Sequence, residues 1–298
     1  MKSIFYKIIY SSQINAILRP IAYIVYMIFN KKIITISGIL KIKAFGVKFK
    51  LKTNQTCSVT QELYFNGAEN YEFSPLFKEL ILQSKVFFDV GANIGYFTVL
   101  AGKLNPKVSI YTFEPSFGPS HYVQENIALN NITNSTLIKK AVSDLDGKLL
   151  FHDVINTKYP WVVHNLNGSN SLQNKFGLNK SSSYEVDVIT LDTIVKENKL
   201  SQLDVLKLDT ECTEHLILKC SKETIRQLEP IIICEVYDVI AKETQQVLDD
   251  LDQYEIFQYR NHCLRKIHSL LDVSDDTVYR NFIFCPKTKI TQIQMFIN

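Results

Sequence analysis

The sequence lacks the patterns that mark nucleic-acid binding, structural metals and disulfide frameworks. No run of lysine and arginine exceeds two residues, and the net charge is only +3 over 298 residues, so we expect no nucleic-acid partner. The six cysteines include no CxxC pair, and the closest two are eight positions apart, which argues against a disulfide framework and a structural zinc site. We therefore expect a protein of a reducing compartment, the cytoplasm.

Long hydrophobic runs are also missing. A membrane-spanning helix needs about 20 apolar residues, whereas the uninterrupted apolar run near the N-terminus covers only residues 21–29. No small-residue cleavage site follows this run, so a signal peptide is not expected. Lysines and Arg19 flank the run, which leaves two interpretations of residues 1–32. We favour a helix packed on the body of the protein; the alternative is peripheral membrane contact through an interfacial helix.

The central part of the chain consists of continuous apolar runs separated by helix-length segments. The apolar runs are residues 86–90, 108–113, 136–142, 204–209 and 231–236, and helical patterns include 96–104, 120–130 and 214–228. Continuous apolar strands joined by helices predict a mostly parallel sheet covered on both faces. Residues 255–260 and 280–286 lack a long helix between them, so we expect an antiparallel pair at the sheet edge.

Two other regions have different patterns. Residues 39–51 alternate apolar and basic side chains, which predicts half-buried strands with a turn at Gly46, and residues 74–84 have helical spacing. Residues 147–190 contain two strand-like runs joined by a long polar loop. Ordered loops of this length often carry function, and a disordered insert is the other interpretation. We expect an N-terminal extension over residues 1–70 and a main domain over 71–298 that contains this insert.

Acidic residues and glycines follow the first two strands of the predicted sheet. The first apolar run contains Asp89 and leads into a loop with Gly91 and Gly95, and the second ends before Glu114. Ligands bind beyond the carboxyl ends of parallel strands. The glycines let the backbone turn sharply and approach a ligand, and an acid after the second strand can accept hydrogen bonds from ribose hydroxyls. This pattern predicts a nucleotide-type ligand.

The charge and spacing of the loop distinguish between two such ligands. Its glycine spacing is GxxxG rather than GxGxxG, and the carboxylate of Asp89 would repel a pyrophosphate. S-adenosylmethionine has no phosphate and carries an ammonium and a sulfonium group, so a carboxylate before the loop suits it. An NAD-dependent reductase is the alternative, and the missing third glycine argues against it.

Seven segments of the chain together resemble the FkbM family of methyltransferases. They are FFDVGANIGYFTVLAG (87–102), YTFEPS (111–116), ENIALNN (125–131), KKAVSDLDGKL (139–149), VITLDTI (188–194), DVLKLDTECTEHLIL (204–218) and PIIICEV (230–236). The resemblance extends from about Tyr71 to Pro286 in order and spacing. It implies the class I methyltransferase fold, a Rossmann-like α/β fold with a mostly parallel seven-stranded sheet and an antiparallel edge strand. It also implies S-adenosylmethionine as methyl donor.

The resemblance assigns roles to individual residues. Those that match the family's donor site are Glu72, Asp89, Gly91, Asn93, Gly95, Glu114 and Asp144. Within this set, Glu114 would hold the ribose, Asp144 would lie near the adenine amine, and Glu72 would border the donor. Ser171 matches a serine motif in the insert.

The candidate catalytic residues are Asp209, Glu211 and His164. Asp209 and Glu211 match the family's KxDxEG segment after the fourth strand, where this chain has Cys212 in place of the glycine. Methyl transfer to a hydroxyl depends on alignment of the reacting groups, and a base helps to remove the proton. His164 lies in the insert, and a surface position is the other interpretation of it. A metal is not implied.

The resemblance implies that the hydroxyl of a sugar, glycolipid or natural product is methylated. The partner would be a small-molecule or glycan acceptor. A methyltransferase-like protein kept only for binding is the second alternative, and the oligomeric state stays open.

Overall fold

The computed structural model describes residues 2–154, 156–168, 172, 181–273 and 278–298. Its strands are β1 (Gly38–Ala44), β2 (Val47–Thr53), β3 (Val86–Val90), β4 (Ser109–Phe113), β5 (Ser135–Ile138), β6 (Ala141–Val142), β7 (Gly147–Val154), β8 (Ser181–Ile189), β9 (Val205–Leu208), β10 (Ile231–Glu235), β11 (Tyr254–Arg260), β12 (Cys263–Ile267) and β13 (Asn281–Pro286). Its α-helices are α1 (Lys2–Ile9), α2 (Ser12–Phe29), α3 (Ser58–Phe65), α4 (Ser74–Leu82), α5 (Tyr96–Leu104), α6 (Phe117–Leu129), α7 (Leu191–Glu197), α8 (Glu214–Cys220), α9 (Lys222–Leu228) and α10 (Asp238–Asp249). Short 3₁₀ helices cover Ala68–Asn70, Leu270–Val273, Lys287–Gln292 and Gln294–Phe296.

The central sheet has eight strands in the order β12-β11-β13-β10-β9-β3-β4-β5. Strands β5, β4, β3, β9 and β10 are parallel, and β13 runs antiparallel between β10 and β11. Successive strands extend from β3 to one side and from β9 to the other, so the strand order reverses between these two. This is the class I methyltransferase arrangement, which confirms the predicted fold class.

The eighth strand, β12, was not predicted from the sequence. It pairs antiparallel with β11 at the sheet edge. Two of its five residues, Arg265 and Lys266, are exposed, so it lacks the continuous apolar run that marked the other strands. The predicted antiparallel pair, β11 and β13, is confirmed.

Two predicted elements are each divided in the structure. The run at 136–142 forms β5 and β6, which belong to different sheets, because Lys139 is exposed and cannot be buried in a strand covered on both faces. The helix predicted over 214–228 is interrupted at Ser221, where φ is −110° and ψ is 18°. The elements at 86–90 and 96–104 have the predicted bounds.

The N-terminal hairpin packs directly on the helices of the central sheet. Strands β1 and β2 bury alternate apolar residues, as their sequence pattern predicts, and turn at Phe45 and Gly46. Helix α6 ties the hairpin down, because Asn126 and Asn130 accept hydrogen bonds from the backbone amides of β2. Apolar residues of the hairpin and of α5 belong to one continuous core.

Helix α2 lies against β1, as the packed-helix interpretation predicts. The residues that it buries are Asn15, Arg19 and Ala22, and most of its large apolar side chains face outward. Among the described residues, α2 is the one helix whose length and composition would be sufficient to cross a membrane.

Residues 147–190 contribute two strands of a separate three-stranded sheet. Strands β7 and β8 pair antiparallel, and β6 pairs with β8. Both predicted strands of this region are therefore confirmed. Much of the polar loop between them, including Ser171, lies outside the described residues.

Candidate active site

A cavity that is partly open to solvent lies at the carboxyl end of the central sheet. Three acids follow or end strands that meet there: Glu114 after β4, Asp209 after β9 and Glu235 at the end of β10. A fourth acid, Glu72, approaches from the segment before α4. The strand order reverses at this point, which is where open parallel sheets bind ligands.

The end of β9, and not only a ligand, constrains the glycine loop. Gly91 has φ +74°, and a Cβ atom there would lie 1.8 Å from the carbonyl oxygen of Asp209. No side chain fits in that space. Glycine is therefore required at this position because the ends of β3 and β9 touch, a reason that the sequence alone did not reveal.

Asp89 lies beneath the cavity and not in its wall. Its side chain is fully buried. The hydroxyl of Thr98 donates a hydrogen bond of 2.7 Å to Oδ2, and the ammonium of Lys207 lies 3.4 Å from Oδ1. The structure thus places this carboxylate between α5 and β9, whereas the family resemblance implies that Asp89 belongs to the donor site.

Lys207 is a buried cation beside the cavity, and its role was not predicted from the sequence. Its Nζ lies 3.3 Å from Oδ2 of Asp209 and donates to the carbonyl oxygen of Gly91 at 3.1 Å. Burial alone would lower the pKa of Lys207, but Asp209, Asp89 and Glu72 outweigh that effect and raise it. Lys207 is therefore charged, and it joins the donor loop to the end of β9.

Glu114 is held in a fixed orientation at the cavity wall. Its Oε2 accepts a hydrogen bond of 2.7 Å from the backbone amide of Asn93, and its Oε1 accepts one of 2.9 Å from Ser116. Burial raises the pKa of this carboxyl to about 8. Each oxygen keeps a lone pair, so the carboxylate can accept two further hydrogen bonds from adjacent hydroxyls.

The remaining acids form a cluster whose charges repel one another. Burial first, and then Asp209 and Glu211, raise the pKa of Glu235 to about 9. Glu72 is open to solvent through the cavity, but the protein that surrounds it partly desolvates its carboxyl group and, with Asp209, raises its pKa to about 7. Glu214 lies behind this wall and accepts from the amide of Thr210 at 2.5 Å. Such a cluster favours a cationic ligand, because a positive charge relieves the repulsion.

The turn after Asp209 contains two successive residues in the left-handed region. Glu211 has φ 62° and Cys212 has φ 74°. The resemblance places a glycine at the second position, and this backbone conformation explains that preference. Cys212 keeps the turn and buries its side chain in the core below.

Two candidates lie away from the cavity. Asp144 is exposed and accepts a hydrogen bond from the neighbouring Ser143. The ring of His164 packs 4.9 Å from that of His121, measured between ring centroids. Partial burial and His121 lower the pKa of His164. Neither residue lines the described cavity wall, whereas Glu72, Gly91, Asn93, Glu114, Asp209 and Glu211 do.

Glu235 could have been found from the sequence. It ends an apolar strand, whereas Asp89 is the next-to-last residue of β3 and Glu114 directly follows β4. The same rule about the carboxyl ends of strands therefore applies to Glu235. Asn93 adds a buried polar atom to the wall: its Oδ1 has no hydrogen-bond partner among the residues that the structure describes. Buried polar atoms normally have partners, so this oxygen marks a place for a ligand donor group.

Comparison with known proteins decides the family. The Methyltransferase FkbM domain matches residues 89–263. The chain belongs to the FkbM methyltransferase family. S-adenosylmethionine is the cofactor consistent with this family and with the carboxylate-rich cavity.

The individual methyltransferases that resemble this chain share low sequence identity with it. The chain is 26% identical over 176 residues to 31-O-demethyl-FK506 methyltransferase FkbM of Streptomyces tacrolimicus, a match that covers 52% of this chain and 66% of that protein. A methyltransferase FkbM crystal structure from Methylobacillus flagellatus is 16% identical, covers 67% of this chain and 43% of that one, and has a TM-score of 0.41. M. jannaschii TYW2, solved in complex with AdoMet, is 14% identical with a TM-score of 0.41 and covers 86% and 88% of the two chains.

Proposed function

We propose that this protein transfers the methyl group of S-adenosylmethionine to a hydroxyl group of a sugar, glycolipid or natural product. The observation that carries the donor assignment is the surplus of carboxylates in the cavity. Glu72, Asp209, Glu211 and Glu235 line it together with one lysine, Lys140, and the ammonium of Lys207 lies 3.3 Å from Asp209. A cationic donor gains from such a wall, whereas a pyrophosphate would be repelled.

Different residues of the cavity would bind different parts of the donor. Glu114 is oriented to accept the two ribose hydroxyls, and Asn93 offers its unpartnered amide oxygen beside the glycine loop. Asp209 and Glu72, which also line the cavity, would hold the ammonium group. Asp89 would act on the donor through Lys207, which fixes the loop from below. The donor, when bound, supplies an electrophilic methyl carbon on its sulfonium.

The acids after β9 and β10 are the candidates for removing the acceptor proton. A base must lie within hydrogen-bond reach of the hydroxyl that reacts. Asp209, Glu211 and Glu235 line the cavity and His164 does not. We therefore propose that one of the three carboxylates takes the proton, and that alignment of acceptor and methyl carbon contributes most of the rate.

We further propose that residues 1–32 contact a membrane peripherally. This contact would bring the cavity to a glycolipid or another acceptor held at a lipid surface. It is consistent with the outward apolar side chains of α2.

Calorimetry tests the donor assignment. S-adenosylmethionine should bind with release of protons, because a cation lowers the raised pKa values of Glu72 and Glu235. The number of protons is obtained by repeating the titration in buffers of different ionisation enthalpy. NAD should give no heat. Binding of NAD and not of S-adenosylmethionine would refute the proposal.

Labelled methyl transfer to a panel of hydroxyl acceptors tests the reaction. Once an acceptor is found, Asp209→Asn, Glu211→Gln and Glu235→Gln are compared with His164→Ala. We expect at least one carboxylate variant to lose about 100-fold or more in turnover, and His164→Ala to stay near wild type. The opposite ranking would move the base to the insert.

A further inference from the structure

Helix α2 exposes apolar side chains and buries polar ones. Its stripe at Ile14, Ile17, Ile21, Ile24 and Ile28 repeats every three or four residues, and these side chains are between 38% and 68% exposed. A helix on the surface of a soluble protein normally turns such a stripe toward the core. Here the stripe faces away from the protein.

The buried side of α2 is polar and is fixed to the hairpin. Arg19 donates from Nη1 to the carbonyl oxygen of Ile39 at 2.8 Å and from Nη2 to the carbonyl oxygen of Ser37. Asn15 accepts from the backbone amide of Ser37 at 2.8 Å and from Nε of Arg19 at 3.0 Å. These bonds determine which side of the helix faces the protein, so the outward stripe is a consequence of specific contacts.

Helix α1, the last turn of α2 and Ile33 extend the apolar surface. The further exposed side chains are Ile4, Phe5, Ile8, Met27, Phe29 and Ile33, each between 52% and 66% exposed. Contiguous apolar patches of this kind on a monomer mark a site of contact with a partner or a membrane.

The same part of the chain has an extreme charge. Residues 1–61 contain ten of the 33 basic residues and none of the 30 acidic residues, since the first acid of the chain is Glu62. A charge asymmetry of this size between parts of one chain indicates an anionic partner.

Four of these basic residues form one face of the hairpin, which we call the lysine face: Lys41, Lys43, Lys48 and Lys50. All four are exposed. In the strand register Lys41 lies opposite Lys50, and Lys43 lies opposite Lys48. Like charges directly opposite each other destabilise a sheet. None of the four is in an ion pair with another described residue, so an external anion would relieve the repulsion.

We propose that α1, α2 and the lysine face dock this protein on the surface of an anionic lipid bilayer. Helix α2 lies in the plane of the interface with its isoleucine stripe in the acyl region, and the lysines attract anionic headgroups. Crossing of the membrane by α2 is disfavoured, because it would detach Asn15 and Arg19 from the hairpin and expose them to hydrocarbon. The inference rests on the membrane contact proposed above and names its partner.

A second copy of the chain fits this surface less well. A symmetric contact would place the same segment on both sides of the interface, and the four exposed lysines of the lysine face would lie near those of the second copy. An anionic bilayer complements both the apolar stripe and the charge.

Vesicle sedimentation with the full chain tests the proposal. The probes are vesicles of phosphatidylcholine alone and vesicles that also contain anionic phosphatidylserine. We expect stronger binding to the anionic vesicles and release at high salt. Replacement of the four lysines of the lysine face by glutamine should weaken binding by about fivefold for each lysine in contact with the surface. The variant Lys107→Gln, Lys196→Gln, Lys199→Gln, Lys242→Gln removes equal charge from exposed positions elsewhere and should bind like wild type.

The apolar stripe is tested separately. Ile17→Gln, Ile24→Gln and Ile28→Gln together should abolish binding to both kinds of vesicle and leave the circular dichroism spectrum unchanged, since glutamine is a good helix former. The matched control, Val239→Gln, Val278→Gln and Met295→Gln, alters side chains that are 74–76% exposed outside this surface. It should bind like wild type.

Three results would overturn the proposal. In the first, wild type binds neither kind of vesicle. In the second, both control variants lose binding as the test variants do. The third is a concentration-dependent dimer, seen by analytical ultracentrifugation without lipid, that the isoleucine variant dissociates, in a protein that binds no vesicle. Vesicle binding requires no donor, and S-adenosylmethionine binding requires no vesicle, so failure of either proposal is recognised independently.

Discussion

Lys207 and Asp89 form an ion pair at the base of the cavity, with both side chains almost completely buried and 3.4 Å between Nζ and Oδ1. The pair connects two neighbouring strands, β9 and β3, directly below the donor loop. Because Nζ also donates to the carbonyl oxygen of Gly91, the charge of Lys207 holds the loop in place.

This pair should behave very differently from a surface pair. Lys207→Met leaves Asp89 buried without a cation and should cost about 3 kcal/mol or more in the free energy of unfolding. Lys207→Met combined with Asp89→Asn should recover part of that loss. The comparison is Lys222→Met at the exposed pair with Asp250, where a change below about 1 kcal/mol is expected. Chemical denaturation measures all of these, and equal losses at both lysines would contradict the assignment.

Gly91→Ala should be far more damaging than Gly46→Ala. Both glycines have positive φ, +74° and +79°, so both substitutions strain the backbone, by about 1 kcal/mol. A Cβ at Gly91 would in addition meet the carbonyl oxygen of Asp209, whereas nothing lies within 4 Å of a Cβ at Gly46. We expect thermal denaturation to show a loss at Gly91→Ala that exceeds the loss at Gly46→Ala by about 2 kcal/mol or more. Similar losses would show that the close approach of β3 and β9 is not rigid.

The free energy of unfolding should decrease as the pH rises. Burial and neighbouring carboxylates raise the pKa of Glu235 from 4.5 to about 9, so the folded protein binds more protons than the unfolded chain between these values. Stability is therefore lost as the pH rises through this window. Glu235→Gln should reduce the difference between pH values of about 5 and 9 by about 1 kcal/mol. The control Glu243→Gln, at an exposed position of α10, should keep the wild-type dependence.

Donor affinity should separate Glu114 from Asp144. If Glu114 binds the ribose, Glu114→Gln replaces an acceptor oxygen by an amide donor and should weaken S-adenosylmethionine binding by about 10-fold or more. Asp144 is exposed and does not line the described cavity wall, so Asp144→Asn should leave the affinity unchanged. Calorimetry on the two variants provides the measurement. A loss at Asp144→Asn would favour the position that the family resemblance implies over the one in the structure.

The sequence predicted the parallel strands well because burial on both faces leaves a continuous apolar run. Strand β3 and helix α5 were predicted with their exact bounds. Glu114 and Asp209 could be placed near the cavity because polar residues after such strands converge at one edge of the sheet.

The rest depended on contacts between residues distant in sequence. Burial of Lys207 requires acids from two strands, and a lysine within an apolar run does not reveal which strands adjoin it. Asp89 also lies near the carboxyl end of its strand, but its carboxylate binds Thr98, nine residues later in α5. Which way the side chain of Asp89 points depends on its orientation in the sheet, and the sequence does not reveal that orientation. The outward stripe of α2 follows from the bonds of Arg19 to β1, and periodicity does not tell which face of a helix is covered.

The three-stranded sheet of β6, β7 and β8 is inserted in the chain between β5 and α7, close to the cavity. Two residues separate the end of β5 from the start of β6, and one residue separates β8 from α7. Phe151 from β7 lines the cavity, so this sheet forms part of its cover. A segment connected in this way can be shortened, lengthened or exchanged while β3, β4, β9 and β10 stay in place. Under the proposed function, residues 147–190 are therefore the unit to exchange between relatives in a test of whether this sheet determines acceptor choice.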